Sequence, residues 1–131
     1  MKFWIDCEFN GYKGELISMA LVDENDERWY AVLQCANPVP WVAEHVIPVL
    51  MEPPMVSLRH LQLNLQRFLS EYSTVRLIAD WPDDIRYFCE ALITGPGERI
   101  DTPPLTMEIR RDLNSDASTV PHNALADAIA L

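Results

Sequence analysis

The sequence has no apolar run approaching the roughly 18 to 20 residues that cross a bilayer, and its N-terminus lacks the apolar core of a secretory signal. No membrane association is expected, and a cytoplasmic location is. Cysteine is scarce. Cys7, Cys35 and Cys89 are an odd number with no CxxC pair, which argues against a disulfide framework and for a reduced protein with ordinary thiols. There is no internal repeat and no low-complexity tract. Basic residues are few: 10 Lys and Arg against 20 Asp and Glu, a formal net charge of -10. That balance argues against tight nonspecific binding of long duplex nucleic acid, which needs Lys and Arg on phosphates. It leaves room for a site holding divalent cations, which clustered carboxylates need as counter-charge. Most of the acid excess reads as solvated surface.

What is present is a chain of 131 residues, 49% hydrophobic, enough for a single domain spanning 1–131 with a sizeable core. Strand-type content marks "KFWIDCEF", "ELISMALV" and "RWYAVLQC", separated by the turns "NGYKG" and "DENDE". "WVAEHVIPVLMEPP" holds a short helix that Pro48 weakens. Ser57 reads as an N-cap for a helix over 58–71, where Leu58, Leu61, Leu65, Phe68 and Leu69 recur at helical spacing. "TVRLIA" reads as a buried strand, "DWPDDIRYFCEALI" as a helix, 94–104 as a loop and "LTMEIRRDL" as a strand. "PHNALADAIAL" closes with a short helix that Asn123 caps. The fold class is therefore α/β: a three-strand meander, then helix, strand, helix, strand, helix, in a mixed sheet with a parallel crossover.

Side chains alternate along a strand, so Asp6 and Glu8 share one face with Trp4, while Phe3, Ile5, Cys7 and Phe9 form the apolar face. Two adjacent anions repel, and an oxygen-loving divalent cation relieves that. A solvated strand face with two acids is the alternative reading of the pair alone. Asp80, Asp83 and Asp84 cluster at a helix start, where Asp80 or Asp83 is also a natural cap. Asp84 precedes Tyr87 and Phe88, through which that helix docks. His122 falls in the loop before the last helix, free to act as a general base, and Asp127 lies on an Ala- and Leu-rich helix where a carboxylate needs a partner.

In this order, "IDCEFNG", "DDIRYF" and "HNALADA" resemble the three motifs of the DEDDh 3'-5' exonucleases of the RNase H-like superfamily, the group of RNase T, oligoribonuclease and the proofreading exonuclease subunit. The resemblance spans nearly the whole chain, and the "HNALADA" ending is similar to that of a compact family of bacterial 3'-5' exoribonucleases. It implies an RNase H-like fold and two Mg²⁺ ions, replaceable by Mn²⁺, held by Asp6, Glu8, Asp84 and Asp127. Asp6 would bridge the two. Asp80 is the second choice for the motif II acid. His122 would be the general base, hydrolysing RNA 3' ends, single-stranded or short overhangs, to nucleoside 5'-monophosphates. Phe9 or Tyr12 would wedge the terminal base, with core packing the competing role for Phe9, and Glu8 or its backbone would contact a 2'-hydroxyl. A homodimer is implied by analogy. The pattern departs at Asp80, where the motif often has a small polar residue, and in the short final helix. Single-stranded DNA as substrate, a non-catalytic nucleic-acid-binding domain and a plain structural domain are the rival readings. A Tyr-based variant of the chemistry is disfavoured by His122.

Overall fold

The period-two alternation of the first strand is realised in full. In the computed structural model, which describes residues 1–131, strand β1 (Lys2–Phe9) turns Phe3, Ile5 and Cys7 into the core and Trp4, Asp6 and Glu8 to the other side. β2 (Leu16–Asp23) and β3 (Arg28–Val32) follow antiparallel, completing the meander. Helix α1 (Pro40–His45) is short. Pro48 has no N–H with which to prolong it, and the chain tightens into a 3-10 turn at Ile47–Val49.

Helix α2 (Leu58–Leu69) is capped by Ser57, whose side chain accepts from the His60 N–H. Leu61, Leu65 and Leu69, one helical turn apart, are fully buried. β4 (Val75–Ala79), α3 (Pro82–Leu92), β5 (Ile93–Gly95), β6 (Glu98–Arg99), β7 (Leu105–Ile109) and α4 (Ala124–Ala130) complete the chain. The strands β1 to β4 and β7 form one mixed five-stranded sheet in the order β3-β2-β1-β4-β7, with β1–β4 and β4–β7 parallel.

Both sheet faces are covered. On one, Phe3, Ile5, Met19, Leu21, Leu77 and Ala79 meet α2 and α3 in the main core. Burial of each large side chain there contributes roughly 1.5–3 kcal/mol. On the other, Ala20 and Val22 pack against Ala124 and Ala128 of α4, and Ile17 packs against Val42 and Val46. β2 is thus buried on both sides, as an inner strand between two helical layers must be.

Several boundaries differ from the sequence expectation. The expected loop at 94–104 contains the β5–β6 hairpin, turned at Gly97 with φ +67, a conformation glycine adopts without penalty. The strand expected over 105–113 stops at Ile109, where Arg110 and Asp112 pair with each other in a turn. β3 ends at Val32, and Leu33 instead bridges to Met55. The helix expected over 80–93 starts at Pro82, with Trp81 in the N-cap position and no side-chain cap. Neither Asp80 nor Asp83 caps it: the Asp83 carboxylate accepts from the Trp81 indole N–H.

Candidate metal centre

β1 and β4 pair only through Lys2–Trp4 against Arg76–Ile78. Past Trp4 the two parallel strands part, and the Cys7 N–H faces the gap. α3 starts just beyond the carboxyl end of β4, so its first turn hangs over that gap, the place where open α/β sheets receive ligands. Asp84 fills it, its Oδ1 accepting from the Cys7 N–H at 3.2 Å. Tyr87 and Phe88, both buried, anchor the helix behind it. On the other side of β1 the pairing with β2 shifts register between Glu8 and Phe9. A β-bulge of this kind re-aims neighbouring side chains. α4 crosses the face that carries Asp6 and Glu8, and its small alanines bring Asp127 down to them.

Two groups of carboxylates result. Asp6, Asp80 and Asp84 form one; Asp6, Glu8 and Asp127 form the other, and within each group the ligand oxygens lie within 4.8 Å of one another. Asp6 belongs to both. None of the ion pairs in the chain involves these five side chains. Asp6 Oδ2, Asp84 Oδ2 and Asp127 Oδ1 are buried without any hydrogen-bond partner. Buried anionic oxygens without donors are costly, and an acceptor-only set of oxygens suits a hard divalent cation. The residues therefore fit such an ion.

Protonation follows the same physics. Burial, and then Asp84, Glu8, Asp127 and Asp80, hold the Asp6 carboxyl well above its ordinary range. Burial and the neighbouring Asp127 and Asp84 push Glu8 up to about 8. Asp84 is pushed up to about 8 by burial and by Asp80, against the opposing Cys7 N–H. Asp127 is raised by burial, opposed in part by the His122 N–H that its Oδ2 accepts at 3.2 Å. Asp80, raised by burial, is partly offset by Arg111, whose guanidinium also donates to the Asp80 carbonyl.

The structure therefore brings Asp6, Glu8, Asp84 and Asp127 together, and Asp80 with them: both motif II alternatives reach the same place. His122 joins through its backbone. Its φ of +70 is left-handed, and its imidazole lies outside both carboxylate groups, perpendicular to the Trp41 ring at 4.9 Å and 6.1 Å from His45. Phe9 is half-buried and stacks on Tyr87 at 4.8 Å, the core-packing role that the alternation allowed. Tyr12 is 87% exposed, with the Lys13 ammonium over its ring.

Trp41 and His45, outside the three motifs, and Asn10 and Asn123, within them, make tertiary contacts beside the site that the sequence reading did not foresee. Asn10 accepts from the Val39 N–H at 2.8 Å and donates to the Asn37 carbonyl at 2.9 Å. Asn123 caps α4 and also donates to the Val49 carbonyl at 2.7 Å. A cavity of about 530 Å³ opens on the α2 and α3 side between Leu16, Met55, Leu58 and Tyr87 and contains none of the five carboxylates. Donor chemistry, not size, marks the site.

What fold and site define is an α/β domain with a shared-carboxylate cleft. The sequence matches no family model and no curated protein. The three cysteines are free, and no helix is long and apolar enough to cross a membrane.

Proposed function

We propose that this chain is a metal-dependent 3'-5' exonuclease of the DEDDh type on an RNase H-like fold, releasing nucleoside 5'-monophosphates from RNA 3' ends. The observation that carries the reading is Asp6, common to two carboxylate groups, the arrangement a pair of ions sharing one ligand requires. The meander followed by parallel crossovers supports it as well. Asp6, Glu8 and Asp127 would hold one ion, and Asp6 with Asp84 and Asp80 the other. Bound Mg²⁺ or Mn²⁺ would supply charge compensation, an acidified water and stabilisation of the leaving 3'-oxygen. His122 takes the proton of the attacking water at a ring nitrogen. Asp127, besides its ligand role, fixes the His122 backbone. The acid-rich surface, with a net charge of -10, favours single-stranded ends and short overhangs over long duplexes.

The test is incubation of end-labelled RNA and DNA oligomers with Mg²⁺, with Mn²⁺ and with EDTA. A ladder growing from the 3' end of RNA, abolished by EDTA and by Asp6→Asn in a folded protein, is the expected outcome. Undiminished cleavage by Asp6→Asn overturns the assignment, and a ladder on DNA alone moves the substrate class to DNA.

A further inference from the structure

Trp41 is 51% exposed and belongs to none of the three hydrophobic clusters, so core packing does not explain it. Its indole instead stacks on His45 at 4.6 Å and 20° and meets the His122 ring in a perpendicular pair at 4.9 Å and 79°. Trp41 and His45 lie one turn apart on α1. The Trp41 carbonyl accepts from the His45 ring at 2.9 Å, which puts the proton on Nδ1 and fixes the plane of that ring.

A helix of six residues has no stability of its own, and α1 is pinned from both ends by neighbours of the site residues. Asn10, two positions after Glu8, binds the segment leading into α1. Asn123, next to His122, binds the turn that follows it. Val42 and Val46 dock on Ile17 between them. The indole is thereby held in register with both β1 and the left-handed backbone of His122.

We propose that Trp41, backed by His45, is a positioning residue that fixes the His122 imidazole at the rim of the carboxylate cleft. The role rests on the exonuclease reading. A general base displaced by about an ångström loses roughly 10²-fold in rate, so Trp41→Ala should lower kcat by about that factor with KM within about twofold, and Trp41→Phe should restore most of it.

The deciding measurement is a double-mutant cycle on an RNA oligomer in Mg²⁺. If Trp41 acts through His122, Trp41→Ala has no further effect in a His122→Ala background. In nuclear magnetic resonance spectra the His122 ring protons should be displaced by the indole ring current and move toward ordinary positions in Trp41→Ala. Equal losses in both backgrounds, a raised KM with kcat intact, or unmoved His122 signals overturn the positioning role alone. Absence of hydrolysis by the unaltered chain overturns the exonuclease reading and the role with it.

Discussion

Without metal, the carboxylate cleft should make this domain lose stability as pH rises across neutrality. Glu8 and Asp84 are each pushed up to about 8 in the folded chain, against roughly 4 in an unfolded one. Below the unfolded value both states hold the proton, and neither group affects stability. Above it the unfolded chain releases a proton that the folded chain retains, so stability falls with pH until the folded value is passed. At about 1.4 kcal/mol per pH unit, one such group accounts for a loss of about 4 kcal/mol between pH 5 and 8. Two coupled groups lose less than twice that. For a domain with roughly 5–15 kcal/mol in total this is a large fraction, equivalent to a melting temperature lower by on the order of 10–20 °C.

The assay is thermal melting followed by circular dichroism from pH 5 to 8 in EDTA, at about 0.5 M salt, so that repulsion among surface acids is screened. Millimolar Mg²⁺ or Mn²⁺ should restore the melting temperature, and should do so more at pH 8 than at pH 5, because the ion binds deprotonated oxygens. Glu8→Gln should flatten the slope in EDTA. A melting temperature that is level or rising from pH 5 to 8 in EDTA, or a metal effect equal at both ends, refutes the reasoning.

Other outcomes follow from single contacts. His122→Ala should retain Mg²⁺ affinity by calorimetry while losing about 10²- to 10⁴-fold in kcat; lost metal affinity would make His122 a ligand. Asp84→Asn should weaken metal binding more than Asp80→Asn, because Asp84 is buried and held by the Cys7 N–H, whereas Asp80 is half-buried and partly offset by Arg111; the reverse order in titration calorimetry would make Asp80 the principal ligand. Asn123→Ala removes the α4 cap and the bond to Val49, and denaturant unfolding should register a loss of about 1–3 kcal/mol. Phe88→Ala, at a fully buried core position, should lose about 3–5 kcal/mol by the same measurement.

How legible each feature was in the sequence depended on how local its cause is. β1 could be read to its boundaries because one period-two pattern sets both its buried face and the side shared by Asp6 and Glu8. Asn123 and Ser57 could be read as caps because a cap is a contact over three residues. The choice between Asp80 and Asp84 had no such local cause. Capping preference treats Asp80, Asp83 and Asp84 alike, and what distinguishes Asp84 is its bond to the Cys7 N–H, 77 residues away in sequence, where β1 parts from β4. That parting exposes a backbone N–H for Asp84 and leaves Asp80 at the strand end to reach Asp6 as well.

The contact between Trp41 and His122 was hidden for the same reason. The i, i+4 spacing of Trp41 and His45 was visible, but spacing alone does not say which distant loop the indole will meet. The answer lies in Asn10 and Asn123, polar residues that any surface turn or helix cap explains on its own. Each satisfies a local requirement and a tertiary one together: Asn123 caps α4 with its oxygen and ties the Val49 carbonyl with its nitrogen. A side chain with both a donor and an acceptor can do this, and a reading that stops once the cap is explained leaves the second bond unseen. It is that second bond, with its counterpart at Asn10, that carries α1 to the rim of the cleft. An α1 displaced from that rim would leave the carboxylates where they are and His122 without its wall. On the proposed reading, metal binding and proton transfer rest on different parts of the chain, and Asn10→Ala, which loosens α1 without touching α4, should lower kcat before it lowers metal affinity.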